Sequence, residues 1–258
     1  NNNGTLFGRS IGQGTENEKS LYKVVPVMYE GERAATAYIG RSNSSTQTIY
    51  WSIPATNTLV QTYYCFIKLE NIAFYDKYNK LLTVDGLSYI DGSVGDVGYD
   101  IYTDTCLASG ESGIWKGIEL ANGTALYSRV SKIVVGNVDG DDDDDMNYGE
   151  VLVLPKRYKT YGSYNDAFVT VKNEGDIETT IGSFSVVYLL NANGHPIFWD
   201  YPSGGNKDVR PGGTYNMNVS PWYKGSVSSI RFFMDLEPSW LARTASKQSV
   251  CRGSRDKV

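Results

Sequence analysis

Hydrophobic and polar positions alternate along this chain in short runs bounded by Gly, Asn, Asp, Ser or Pro. Leu21-Tyr-Lys-Val-Val-Pro-Val-Met-Tyr29 opens the pattern, with Pro26 marking an edge or a bulge. Thr36-Ala-Tyr-Ile39 follows, ended by the turn-rich Gly40-Arg-Ser-Asn-Ser-Ser45. Next come Thr48-Ile-Tyr-Trp-Ser-Ile53, Thr58-Leu-Val-Gln-Thr-Tyr-Tyr64 and Cys65-Phe-Ile-Lys-Leu-Glu70. Ile72-Ala-Phe-Tyr75 and Leu81-Leu-Thr-Val84 flank the hairpin turn Asp76-Lys-Tyr-Asn79. Gly113-Ile-Trp-Lys-Gly-Ile-Glu-Leu120 and Val130-Ser-Lys-Ile-Val-Val135 close a first group. A second group restarts at Val151 and runs through Ala167–Lys172, Gly182–Leu190, His195–Trp199, Thr214–Val219 and Ser229–Met234. Runs of this length at roughly 8–12-residue spacing predict an all-β chain of sandwich type. A parallel sheet would need amphipathic helices between strands, and the pattern offers none.

Between the groups lies Gly136-Asn-Val-Asp-Gly-Asp-Asp-Asp-Asp-Asp-Met-Asn-Tyr-Gly-Glu150, seven of whose fifteen residues are acidic. Consecutive like charges repel and resist burial, which predicts a solvated loop. The expected organisation is therefore an N-terminal arm (1–20), a first β-sandwich (21–136), an acidic connector (137–150), a second β-sandwich (151–237) and a basic C-terminal tail (238–258). A short helix around Trp240 to Ala245 fits the tail's composition.

The two groups share landmarks in one order. Ala37–Asn43 matches Phe168–Asn173, and Ile72–Asp76 with Asn79 and Leu81 matches Val187–Asn191 with Gly194 and Pro196. Leu107-Ala-Ser-Gly-Glu-Ser112 matches Val209-Arg-Pro-Gly-Gly-Thr214, and Ile133-Val-Val matches Ile230-Arg-Phe. In the second group the series strand-Asn-Glu-Gly, Leu-Leu-Asn-Ala-Asn-Gly and Val-Arg-Pro-Gly-Gly-Thr resembles FxLYD-type domains of microbial surface and secreted proteins. That resemblance spans about Tyr148 to Glu237 and, more faintly, Lys23 to Gly136. It implies two tandem immunoglobulin-like domains and carries no catalytic residues with it.

Composition narrows the function classes. The 258-residue chain is 41% hydrophobic, with 20 Tyr and 27 Gly, and has a net charge of -5. A nucleic-acid partner wants a basic face, so none is expected. No apolar run approaches the ~18 residues of a membrane-spanning helix. The start at Asn1 fits removal of a leader. In an exported protein the sequons at Asn3, Asn43, Asn122 and Asn218 could carry glycan, and Cys65 could pair with Cys106, leaving Cys251 over. A reduced, bridge-free protein is the alternative with so few cysteines.

Three features are candidates for chemistry. Asn137, Asp139, Asp141, Asp143 and Asp145 place oxygen ligands at alternate positions of a twelve-residue loop, the spacing of a calcium site. Asp142 stands where such a loop wants Gly and Tyr148 where it wants Glu, which favours a plain spacer. Trp199, Tyr201, Trp222 and Tyr223 adjoin turns and could form a sugar-stacking platform, against the alternative that they fill the core. The tail sets Arg243, Lys247, Arg252, Arg255 and Lys257 against Asp256 alone, a basic arm for a neighbour's acidic stretch. The single histidine, His195, sits beside a turn with no G-x-S-x-G. Clustered Cys and His for zinc are missing from the sequence, as is a nucleotide-binding glycine motif. The expectation is a non-enzymatic cell-surface or extracellular structural protein that assembles through its arms. The alternative is a carbohydrate- or protein-binding module.

Overall fold

The computed structural model describes residues 21–41, 48–58, 63–91, 107–110, 112–120, 125–142, 151–161, 164–173, 178–181, 186–201, 207–219, 221, 223, 225–233 and 236–238. The first group forms β1 (Tyr22–Tyr29), β2 (Glu32–Gly40), β3 (Thr48–Thr56), β4 (Tyr63–Tyr75), β5 (Leu81–Asp91), β6 (Leu107–Ala108), β7 (Ser112–Leu120), a one-turn helix α1 (Leu126–Arg129), β8 (Lys132–Val135) and β9 (Asn137–Asp142). The second forms β10 (Val151–Tyr161), β11 (Tyr164–Asn173), β12 (Thr179–Ile181), β13 (Val186–Leu190), β14 (Pro196–Asp200), β15 (Lys207–Val209), β16 (Thr214–Val219), β17 (Ser229–Phe233) and β18 (Leu236–Pro238).

The all-β expectation holds, but the first group is not an open immunoglobulin-like sandwich. Seven strands close on themselves in the order β5-β7-β3-β2-β1-β8-β4, with β4 pairing back to β5. Closure comes from Ile90 and Asp91 of β5 pairing with Trp115 and Ile114 of β7. This satisfies edges that two separate sheets would leave open. Every pairing round the barrel is antiparallel except that of β1 with β8. Pro26 is not on an edge strand. It pairs across from Thr36, one residue before a register shift at Val27/Met28, and β8 joins β1 only from Val27 onward.

Alternation fills the barrel. Val25, Val27, Ala37, Ile39, Ile49, Trp51, Ile53, Trp115 and Ile133 point inward and are buried. β4 changes phase midway: Ile67 and Leu69 are buried, then Ile72 and Phe74. Asn71 makes the shift in the left-handed region (φ 54). Short polar side chains reach that region more readily than branched ones. Gly136 backs onto it, because a Cβ there would lie 2.9 Å from the Asn71 Cβ.

The acidic stretch is thereby partly recruited into the sheet. Its first six residues are a strand, not a loop, and β9 pairs with β4 from Asn137 opposite Glu70 to Asp142 opposite Tyr64. Aspartates are poor strand formers. Here the ladder with β4 and the amine of Lys68, 3.3 Å from the Asp139 carboxylate, offset that tendency.

The second group forms three three-stranded sheets: β10-β11-β16, β15-β12-β18 and β14-β13-β17. The last packs on the barrel. Phe198 and Trp199 of β14 meet Tyr50, with ring centroids 4.3 and 5.7 Å apart, and the Trp199 indole donates to the Trp51 carbonyl at 3.2 Å. Gly40 permits this approach, since a Cβ there would lie 2.3 Å from the Ile197 carbonyl oxygen.

Two of the shared landmarks adopt one geometry. Asp76 and Asn191 each begin a turn that closes on the residue four on, Asp76 to Lys80 and Asn191 to His195, both at 3.0 Å. Each side-chain oxygen also takes two backbone N–H groups, of Tyr78 and Lys80 and of Asn193 and His195. Asn79 and Gly194 sit at matching positive φ, 60 and 76. Likewise the buried Asn57 and Asn173 donate to the carbonyls of Leu107 and Val209, both at 2.9 Å, and accept from Gly110 and Gly212. Asn57 thus shares the geometry of Asn173, while Asn43 lies outside the described residues.

Candidate functional site

An open cleft of about 400 Å³ lies at the α1 end of the barrel. Its walls are Lys23 of β1, the Asp76-Lys77-Tyr78 turn, and Ser128 to Ser131 running from α1 into β8. Asp76 organises it. One carboxylate oxygen takes the backbone N–H groups of Tyr78 and Lys80, both at 2.9 Å, and the other takes Arg129 at 3.0 Å. The Lys80 amide and then Arg129 hold its carboxyl below the usual carboxylate range. Lys23 donates to the Val130 carbonyl and lies 5.5 Å from the Tyr127 ring, while Lys77 lies 5.0 Å from the Tyr78 ring. Three cations face one anion, so this concavity is positive on an acidic chain. Tyr78 stands at its rim, 78% exposed. Such a surface can attract an anion and stack a flat ligand.

A second polar group lies on the inner face of the barrel wall. Trp115, Gly117 and Glu119 share a face of β7, and Glu119 is buried. Thr83 donates to its carboxylate at 3.2 Å, and Asp85 is hydrogen-bonded to it. Burial, and then the charge of Asp85, push the Glu119 carboxyl up to about 7. The sequence signal was a carboxylate at alternate spacing from a core tryptophan on a largely apolar strand.

The residues singled out from sequence are scattered. Trp199 and Tyr223 are buried, Trp199 edge-on to Tyr50 and Tyr223 stacked on Phe198, so they form no open platform. Tyr201 is exposed and packs edge-on against Trp199 at 5.3 Å. Trp222 lies outside the described residues. Asn137 and Asp139 are extended on β9, where Asn137 donates to Glu70 and Asp139 pairs with Lys68. A calcium loop curls its ligands round the ion, whereas Asn137, Asp139 and Asp141 lie along one strand. Asp143 and Asp145 lie outside the described residues. Among the described residues no three His, Cys, Asp or Glu side chains gather to hold a metal ion. His195 stacks on Tyr38 at 4.7 Å between the two groups, and burial holds its imidazole below the ordinary value. Cys65 lies on β4 next to Tyr64, whose partner is Leu107; Cys106 lies outside the described residues. Asn218 is exposed on β16, while Asn3, Asn43 and Asn122 lie outside the described residues. Among the described residues no helix is long and apolar enough to cross a membrane.

No family model matches the chain, and no curated protein matches it. Among solved structures it is similar to red sea bream transglutaminase at 10% identity and a TM-score of 0.20, over 85% of this chain and 30% of that one. It is also similar to a mutant of Bacillus subtilis oxalate decarboxylase OxdC at 9% identity and a TM-score of 0.17, over 91% and 79%. The chain thus spans under a third of the transglutaminase. Overlaps this loose carry no argument about fold or activity.

Proposed function

We propose that this protein is a non-enzymatic binding module of the cell surface or extracellular space, and that its ligand is an acidic glycan received in the α1 cleft. The observation that carries the reading is the sign of that cleft: Lys23, Lys77 and Arg129 against Asp76, on a chain of net charge -5. The Arg129 fork suits a carboxylate or sulfate, and the exposed Tyr78 ring suits a sugar face. Calorimetric titration with a polyuronate oligosaccharide, a sulfated one and a neutral one of equal length tests this. Binding of the acidic glycans, weakened by salt and by Lys77→Glu, is the expected result. Equal affinity for the neutral glycan, or no change in Lys77→Glu, would sink the reading.

A second reading, a structural subunit of an extracellular assembly, draws on a different observation. An uncovered apolar strip on β5 and β7 offers an assembly surface. Export also favours a Cys65–Cys106 bridge, because Cys106 is one residue from Leu107 and Cys65 one from Tyr64. Alkylation of the unreduced protein is then expected to label Cys251 alone; labelling of all three cysteines would refute the bridge.

A further inference from the structure

The matched turns allow the two groups to be compared residue by residue. In the second group, Tyr188, Leu190 and Trp199 share a face that packs on Ile114 and Tyr50 of the barrel. Equivalent register in the barrel puts Ala73, Tyr75 and Val84 in those three places. There the face is uncovered: Val84 is 50% exposed where Trp199 is 2%. The uncovered surface runs on along β5 and across to β7 as Leu81, Val84, Leu87, Tyr89, Ile118 and Leu120, each between 44% and 58% exposed. Ser88 ties the two strands together by donating to the Lys116 carbonyl at 2.7 Å. Six large side chains half exposed leave on the order of 500 Å² of apolar surface, near the upper end of the largest patch on ordinary monomers.

We propose that this strip is the interface between two copies of the chain related by a two-fold axis. Pairing two strips removes about 1,000 Å² from water, the lower bound for a specific interface. The flanking charges suit it. On the β4 side Lys68 and Glu70 stand directly across from Tyr89 and Leu87, and with Asp139 they carry a net charge of one negative unit. On the β7 side stands Lys116. An axis lying in the contact plane along the strands sets Lys116 of one copy over the net-negative Lys68, Glu70 and Asp139 group of the other. That complementarity fixes register more than it adds affinity. The strip shares no residue with the α1 cleft, so either proposal survives failure of the other.

Sedimentation of the full chain across micromolar concentrations tests the pairing. The wild type is expected to pass from monomer to a discrete dimer. Leu87→Glu is expected to abolish the dimer, and the uncharged change Tyr89→Ser to weaken it about 10-fold. Both replace exposed side chains, so thermal midpoints measured on dilute protein should stay at the wild-type value. A wild type that remains monomeric overturns the proposal, and so does a dimer that persists in both variants. A chain that dimerises only once residues 1–20 or 239–258 are removed also overturns it, making an arm the occupant.

Discussion

Replacing Trp199 with alanine is expected to lower the unfolding free energy by about 3–5 kcal/mol, the range for a buried aromatic truncated in a core. The side chain is 2% exposed and does several things at once. Its ring fills the seam with Ile114, Val186, Tyr188 and Leu190, its indole N–H satisfies the Trp51 carbonyl, and Lys116 lies 5.6 Å from its face. Alanine leaves a cavity between the barrel and the β13-β14-β17 sheet, together with a buried acceptor lacking its donor. Phenylalanine fills most of the space and loses only the hydrogen bond and some area, so its cost is expected to be about 1–2 kcal/mol. Urea denaturation followed by far-UV circular dichroism reads both. The alanine variant is also expected to separate the transitions of the two groups, because β14 supplies much of what joins them. A loss below about 1 kcal/mol would show that the seam is loosely packed. The same experiment bears on the aromatic-platform expectation, in which Trp199→Ala would remove ligand binding and leave stability untouched.

Much of this architecture was legible because strands and turns are local. The Asp76 and Asn191 turns were readable from their side-chain acceptors and from the Asn and Gly that follow, and each proved to join two antiparallel strands. What failed depended on pairing between distant segments. Barrel closure rests on two residue pairs between β5 and β7, and nothing in either strand's alternation specifies them. β7 is apolar on both faces, with Trp115 inside and Ile118 outside, so its pattern could not say which face was core. The acidic stretch misled because charge repulsion was weighed without a partner strand. Once Gly136 turns the chain across Asn71, the upper half of β4 offers Asn137–Asp142 a ladder, and Asp139 stands exposed beside Lys68. The aromatic residues misled for the opposite reason. Turn-adjacent Trp and Tyr suit a ligand platform and a domain seam equally, and only the packing of β14 on β2 and β3 decides between them. Of the site itself, the Asp76 turn was visible, but the basic side chains that converge on it come from three separate elements.

Stability is expected to fall as pH rises between about 4.5 and 7, and Glu119 is the reason. Its carboxyl ordinarily titrates at 4.5 and in the fold is pushed up to about 7. Within that window the folded chain keeps a proton that the unfolded chain has released, so raising the pH favours unfolding. Below the window both states are protonated and the group contributes nothing; above it both are ionised and the full penalty stands. With some solvent reaching the barrel end, the penalty is on the order of 2 kcal/mol. Glu119→Gln keeps the shape, accepts from Thr83 and can donate to Asp85, but carries no charge to bury. It is therefore expected to match the wild type near pH 4.5 and to exceed it by about 2 kcal/mol at pH 8. Asp76 acts in a separate window with the opposite sign. Its depressed carboxyl adds stability that is present above 3.8 and is lost as pH falls further, so it leaves the Glu119 slope alone. Denaturation midpoints of both proteins across this range decide the matter. Parallel curves would mean that the folded chain buries Glu119 in its charged form.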